Sequence, residues 1–503
     1  MESGELLPRS GPSVTSKPTA DGRGGWRAAL FIVVVGFFER IGFVGVQANL
    51  IMYLTGPLGM STAAAAAGVN AWAGTVQVLP LVGALAADSR LGRYRAVLVA
   101  GVLYVLGLGM LTASSTLQMA PQPHATSSSA PASPVQLAFF YVALYLLAVA
   151  QGFYGPCGEA LGADQFAASG SDPGAPAFRS SYFNWYHFSI SWGYAIATAG
   201  LSYVQDNVGW TVGFGACWAA MVACLAVFLL GTRTYRAEQP VDGGMFVKNL
   251  RAWATRVFRR KDAARTERLL DPEPEEREGF VLKLLPIWVT SLVFATVTAQ
   301  VSTLFTKQGS TMDRRLGAAT GLVVPPAALQ CFINVTYIVV LPIYDRAVVP
   351  LARRLTGHDA GVTMLQRIGA SMALSCAAMA VAAVVEARRL WWVVPQYVLV
   401  GIALVLGAVG LEEFFYDQVS DALRSVGLAL CLSIFGVGSY ASGALVSAID
   451  WATRSNGESW FSDNLNRAHL DYFYWLLAGL AAIEVVAFLY FANRYVYRNK
   501  CEL

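Results

Sequence analysis

The 503-residue chain is 55% hydrophobic and only 14% charged, with 36 Lys and Arg against 32 Asp and Glu. Soluble domains carry about 25% charged residues, so an ordinary soluble globular protein is excluded, and a formal net charge of +4 is too small to suggest nucleic acid. The apolar residues come in blocks near 20 long, the length that crosses a bilayer as a helix, and the fold class is an all-α polytopic membrane protein.

Residues 1–25, "MESGELLPRSGPSVTSKPTADGRGG", are polar, begin acidic and have no apolar core. They read as a disordered cytosolic tail rather than a cleavable signal peptide. Within them Glu2-Ser3-Gly4-Glu5-Leu6-Leu7 matches an acidic dileucine sorting pattern. Twelve spans then follow, beginning near Ala28, Ala63, Ala96, Gln136, Ser181, Thr211, Phe280, Pro325, Val362, Trp391, Ser425 and Asp471. A hydrophilic segment, residues 232–279, starts basic and ends acidic and divides the spans six and six. The expected organisation is an N-terminal six-helix bundle at 26–231, this linker, a C-terminal six-helix bundle at 280–495, and a cytosolic tail at 496–503.

Arg and Lys cluster on alternate loops, in "DSRLGRYR", the long linker, "RRLTG" and "RYVYRNK", whereas "QMAPQPHATSSSAPASP" has none. The positive-inside rule therefore puts both termini and the linker on the cytosolic side. Six plus six spans joined by such a linker is the layout of an alternating-access carrier, with its substrate near the midplane.

Charges inside spans cost about 2.5–3.5 kcal/mol each on insertion scales. Glu39 and Arg40 in the first span, Glu412 and Glu413 in the tenth, and Glu484 in the twelfth accept that cost. Their destination is a water-filled cavity, a gate, or a fixed ion pair between helices; for Glu484 the fixed pair is the preferred reading. His187, in "NWYHFSISWGY", is the one histidine inside a span. Histidine ordinarily changes charge between pH 5 and 8, so His187 reads either as a proton carrier or as a hydrogen-bonded neutral core residue. Glu159 reads as a cavity or vestibule carboxylate. The seven cysteines show no CxxC or Cys/His cluster, so neither a metal site nor a disulfide framework is expected, and no cofactor is implied. No HExxH motif or nucleophile elbow is present, which argues against an enzyme.

The stretches "ANLIMYLTGPLGMSTAAAAAGVNAW", "ADSRLGRYR", "CGEALGADQF", "SSYFNWYHF", "TMLQRIG", "GLEEFFYDQ" and "FSDNLNRAHLDYFYWLLA" closely resemble the plant nitrate/peptide transporter family, part of the proton-coupled oligopeptide transporters of the major facilitator superfamily. The resemblance runs from Gly25 to Asn493, and it is strongest to the fifth subfamily. It implies a major facilitator fold of two six-helix bundles. It also implies a secondary active transporter of small anionic or zwitterionic solutes such as nitrate or di- and tripeptides. Protons are the expected partner besides the substrate and the lipid bilayer. The expected state is a monomer or weak dimer in the vacuolar or plasma membrane; an uncoupled facilitator or a non-transporting sensor is the alternative.

In the family the first span usually reads Glu-x-x-Glu-Arg-Phe-x-Tyr-Tyr-Gly. Here Glu39 and Arg40 are kept, Gly36 replaces the first Glu, and Phe43 and Val44 replace the tyrosines. The family's fourth-span Lys, partner of a tenth-span Glu, is Gly155, so Glu413 is expected to pair with Arg40 across the bundles. A span-seven His of one nitrate-transporting relative is Thr298, and a phosphorylatable Thr of the same relative is Ala96. The resemblance implies substrate contacts at Arg40, Phe43, Asn184, Trp185, Thr298 and Gln300. Proton coupling falls to Glu39, Glu413, Glu412 and His187, and gating to Asp88, Arg90, Arg93 and Asp164.

The charge asymmetry of the loops makes a topological prediction. A glycosylation acceptor inserted within residues 237–278 is expected to stay unmodified, whereas one inserted within 120–133 is modified; the reverse pattern would overturn the orientation.

Overall fold

The computed structural model describes residues 24–87, 91–119, 134–166, 175–236, 284–312, 314–315, 323–356, 362–385, 390–418, 424–454, 459–462 and 469–495. The sorting motif, nearly all of the linker, Asp88 and Arg90 lie outside these residues. The first six spans are α1 (Gly25–Gln47), α2 (Thr62–Ala86), α3 (Arg93–Met119), α4 (Pro134–Asp164), α5 (Ala175–Ala195) and α6 (Trp210–Gly231). The second six are α7 (Leu284–Thr298), α8 (Cys331–Ile343), α9 (Met364–Val384), α10 (Val394–Asp417), α11 (Arg424–Arg454) and α12 (Leu470–Arg494).

Ten of these runs are long and apolar enough to cross a membrane by composition alone. The other two depart for physical reasons. The α5 run carries Asn184, His187, Ser189 and Ser191, which lower its hydropathy, yet it continues through a π-helical turn at Ile196–Leu201 and on to Ser202–Asn207. The seventh span is broken: α7 ends at Thr298 and helix resumes at Leu304–Ser310.

Within the first half, α1 packs on α4, α5 and α6, and α3 packs on α4 and α6. Within the second, α9 packs on α10 and α12, α10 on α8 and α11, and α7 on α11. The halves meet chiefly where α2 crosses α11. Small residues let these backbones approach, as bilayer helices require when lipid supplies no hydrophobic drive between them. A Cβ on Gly436 would lie 2.6 Å from Val78 Cγ2 and 3.3 Å from the Gly74 carbonyl oxygen.

Polar contacts between the halves gather at the midplane and on the face away from the basic loops. Asn70 Nδ2 donates to Ser442 Oγ at 2.9 Å, and the Thr75 and Tyr440 hydroxyls are 2.8 Å apart. Nearer that outer face, Lys307 Nζ donates to Thr55 Oγ1 at 3.0 Å and Gln330 Nε2 to the Ala48 carbonyl at 3.0 Å. At the rim, Arg314 faces Asp206 at 3.6 Å. Toward the basic loops, by contrast, Gly155, His187, Glu412 and Glu413 are exposed. The conformation is closed on the outer face and open on the basic-loop face.

The α2–α11 crossing can be tested by overpacking, which costs about 1–3 kcal/mol. Gly436→Val is expected to lower transport about tenfold or more at unchanged surface amount. Gly479→Val, where a Cβ would meet nothing within 4 Å, is expected to leave transport unchanged. Equal effects at the two sites would remove the crossing from the account.

Candidate substrate cavity

Glu39 has no exposed surface in the middle of α1. A carboxylate buried in that way needs a cation and hydrogen bonds to offset its lost hydration. Both are present. Arg40 Nε donates to Glu39 Oε2 at 2.8 Å. The Tyr104 hydroxyl of α3 reaches Glu39 Oε1 at 2.9 Å and also contacts the Gln151 carboxamide of α4. On the other side, Arg40 Nη1 donates to the Tyr194 hydroxyl of α5 at 3.2 Å, and the guanidinium carbon lies 5.6 Å from the centre of that ring. The approach of α5 depends on Gly193, where a Cβ would fall 2.7 Å from Arg40 Cβ. Arg40 keeps 16% of its side chain exposed while Glu39 keeps none.

The two glycines that replace charges are unlike one another. At Gly36 a Cβ would meet Tyr186 Cε2 at 2.7 Å, so a tyrosine ring fills the space of the missing carboxylate. At Gly155 the nearest atoms, on Gln151 and Pro80, are 3.6–3.9 Å from a Cβ, and the position is exposed. The space of the missing lysine is open cavity. Phe43 lies between Trp72 and Tyr104, with ring centres 5.7 and 6.2 Å away, and is 3% exposed. In this conformation it backs the Glu39 pocket and does not face the cavity.

The second half corrects the expected charge pairing. Arg40 does not pair with Glu413. Glu413 Oε2 instead accepts from Arg367 Nη1 of α9 at 3.4 Å. Arg367 Nη2 also donates to the Val405 carbonyl at 3.1 Å, and its guanidinium carbon lies 4.6 Å from the centre of the Tyr344 ring. Arg367 was not singled out from sequence. Its signal was present, an arginine inside the apolar block of α9, but the block's edge lies only a turn away. Glu484 is also not the fixed ion pair expected. It is 3% exposed, and Oε1 accepts the Phe294 backbone N–H at 2.8 Å. The carboxylate takes up an amide released where the α7 ladder is interrupted by a turn at Ser291.

The remaining candidates divide. His187 Nε2 is 3.3 Å from Glu159 Oε1, and both side chains are partly exposed. Glu412 is exposed on α10 within electrostatic range of both. Trp185 shares a side of α5 with Phe188 and Trp192, its ring 5.8 Å from that of Phe188 and 56% exposed. Helical spacing turns that side away from the side of His187, Ser191 and Tyr194, so Trp185 points outward rather than into the cavity. Asn184 lies on the same helix. The Thr298 hydroxyl donates to the Ala295 carbonyl at 2.9 Å. Gln300 is fully buried, donating to the Thr296 carbonyl at 2.9 Å and to Ser442 Oγ at 2.8 Å. Gln300 therefore braces the α11 contact. Arg93 and Asp164 pair at 2.5 Å, tying the basic-loop ends of α3 and α4.

Two six-helix halves, closed on one face and open on the other, each holding an arginine–glutamate pair, define a major facilitator secondary transporter. The POT family sequence model matches residues 94–461. The chain is 45% identical over 545 residues to Protein NRT1/PTR FAMILY 5.10 of Arabidopsis thaliana, covering 97% of this chain and 95% of that relative. To Protein NRT1/PTR FAMILY 5.11 of the same plant it is 43% identical, covering 94% of each. An auto-inhibited POT family peptide transporter superposes with a TM-score of 0.74 at 18% identity, over 95% of this chain and 99% of that one. A POT family transporter in complex with 5-aminolevulinic acid gives 0.69 at 15% identity, over 94% and 98%. The chain belongs to the POT family, and it is a multi-pass membrane transporter, not an enzyme.

Removing one member of a buried pair leaves the other uncompensated, at about 3–5 kcal/mol. Arg40→Ala is therefore expected to lower the melting temperature of the purified protein markedly. The double variant Glu39→Gln, Arg40→Ala should recover most of that loss. A double variant as unstable as the single one would mean that the pair is not the stabilising unit.

Proposed function

We propose that the protein moves a small solute bearing a carboxylate or similar planar anionic group by alternating access, and that movement is coupled to protons. The observation that carries this reading is Arg40. Its Nε is held by Glu39 and one Nη by Tyr194, and 16% of the side chain stays exposed. An arginine fixed in that way presents a planar donor edge that matches carboxylate or nitrate oxygens. The 5-aminolevulinic acid held by one fold neighbour carries such a carboxylate. An additional ammonium on the solute would find Glu159 and Glu412, so a zwitterion fits the cavity as well as a simple anion. Thr298 and Asn184 remain proposed contacts, and Arg93–Asp164 a proposed gate element. Glu39, Glu412, Glu413 and His187 supply the titratable groups.

The replacement of charges at Gly36 and Gly155 favours a second reading, an uncoupled facilitator of the same solutes. Uptake into proteoliposomes of labelled nitrate, dipeptides and amino-acid-like acids separates the two. Coupled transport rises about severalfold as external pH falls from about 7.5 to about 5.5 and is abolished by a protonophore. Indifference to both establishes the facilitator. In either case Arg40→Lys should lower uptake about tenfold or more. Wild-type uptake by that variant would remove Arg40 from the substrate site.

A further inference from the structure

Three titratable groups outside the Arg40 site stand at the open mouth, and they come from both halves. Glu159 is on α4 and His187 on α5, in contact at 3.3 Å with side-chain exposures of 36% and 62%. Glu412 projects from α10, exposed and within electrostatic range of both. The surrounding charged and titratable groups are accounted for. From α1, Arg40 and Glu39 are committed to one another. From α4 comes the buried Tyr154, from α5 itself the buried Tyr186 and Tyr182, the latter donating its hydroxyl to the Glu159 carbonyl, and from α11 the buried Cys431, within electrostatic range of Glu412. From α8, Tyr337 lies within electrostatic range of Glu412 and Arg367. On α10, Glu413 is held by Arg367. Among the described residues, Glu159 has only the imidazole as a basic partner and Glu412 has no hydrogen bond or ion pair.

Closing this mouth must bring α4 and α5 toward α10. The movement carries Glu412 toward Glu159, and two like charges at close range in a partly dry site oppose it. One proton changes the balance. The imidazole takes a proton from a hydronium ion at the mouth, forming a second N–H bond and leaving water. Nε2–H then donates to Glu159, and the ring carries a positive charge between the two carboxylates.

We propose that Glu159, His187 and Glu412 form a proton-operated latch, in which binding of one proton permits the basic-loop mouth to close and its loss favours opening. The latch is a property of conformation. It goes beyond the proposed coupling and holds equally for a facilitator, so its failure and the failure of that reading are separately visible.

The test is a distance measurement on the purified full-length protein in lipid nanodiscs, without substrate or gradient. Spin labels are placed through Val82→Cys on α2 and Leu428→Cys on α11, both exposed near the basic-loop ends of their helices. The ratio of short to long distances is expected to rise about tenfold between about pH 7.5 and about pH 5.5, the interval in which histidine ordinarily titrates. His187→Gln should lose that response and stay open. Glu412→Gln, which removes the repulsion, should give the short distance at both pH values, and Glu159→Gln should do the same if one substitution compromises folding. A wild-type ratio that ignores pH, or a Glu412→Gln protein with the wild-type response, would overturn the latch.

Discussion

The structure depends on how a carboxylate is kept without water in a helix that crosses a bilayer. Glu39 is wholly buried, and three elements are committed to making that tolerable. Its own neighbour Arg40 supplies the charge, Tyr104 brings in α3, and Tyr194 brings in α5. Gly193 is part of the same requirement, because a side chain there would push α5 off Arg40. The helix arrangement of the first half and the aim of the guanidinium are thus consequences of one desolvated acid.

The second half solves a similar problem separately. Arg367 is paired with Glu413 and stacked on Tyr344. Each half therefore pairs its own arginine with its own glutamate, and what joins the halves is mostly neutral: Asn70 with Ser442, Thr75 with Tyr440, Gln330 with a backbone carbonyl. This division suits alternating access. Parting two halves that share a buried ion pair would strand a charge on each, at several kcal/mol. Parting neutral hydrogen bonds that water can replace costs about 0.5–1.5 kcal/mol apiece. Among the described residues, the ion pair that does bridge the halves, Arg314 with Asp206, sits at the rim with partial exposure, where water softens its loss.

Most of the architecture was legible in the sequence because bilayer thickness imposes its own period. Spans expected near Ala63 and Thr211 begin at Thr62 and Trp210. The charge pairs were legible only in part. Glu39 and Arg40 are adjacent, so their association needed no fold, but Tyr104 and Tyr194 lie 65 and 154 positions from their partners. The expected Arg40–Glu413 pair failed because Arg367, 46 positions from Glu413, was passed over at the edge of an apolar block. Glu484 was misread for a similar reason: its partner is a backbone amide at a helix break, and composition gives little sign of such a break. The filling of the Gly36 space by Tyr186 is likewise a fact of packing, without a local signature.

The central claim is that Arg40, fixed by Glu39 and Tyr194, is the anion anchor of the cavity. The most direct measurement is equilibrium binding to the purified protein of a transported carboxylate and of its neutral amide, followed calorimetrically for wild type and for Tyr194→Phe. The account predicts that the wild type prefers the carboxylate strongly. It also predicts that Tyr194→Phe, which frees one side of the guanidinium without removing its charge, narrows that preference. Equal affinity for the carboxylate and the amide in the wild type would contradict the claim.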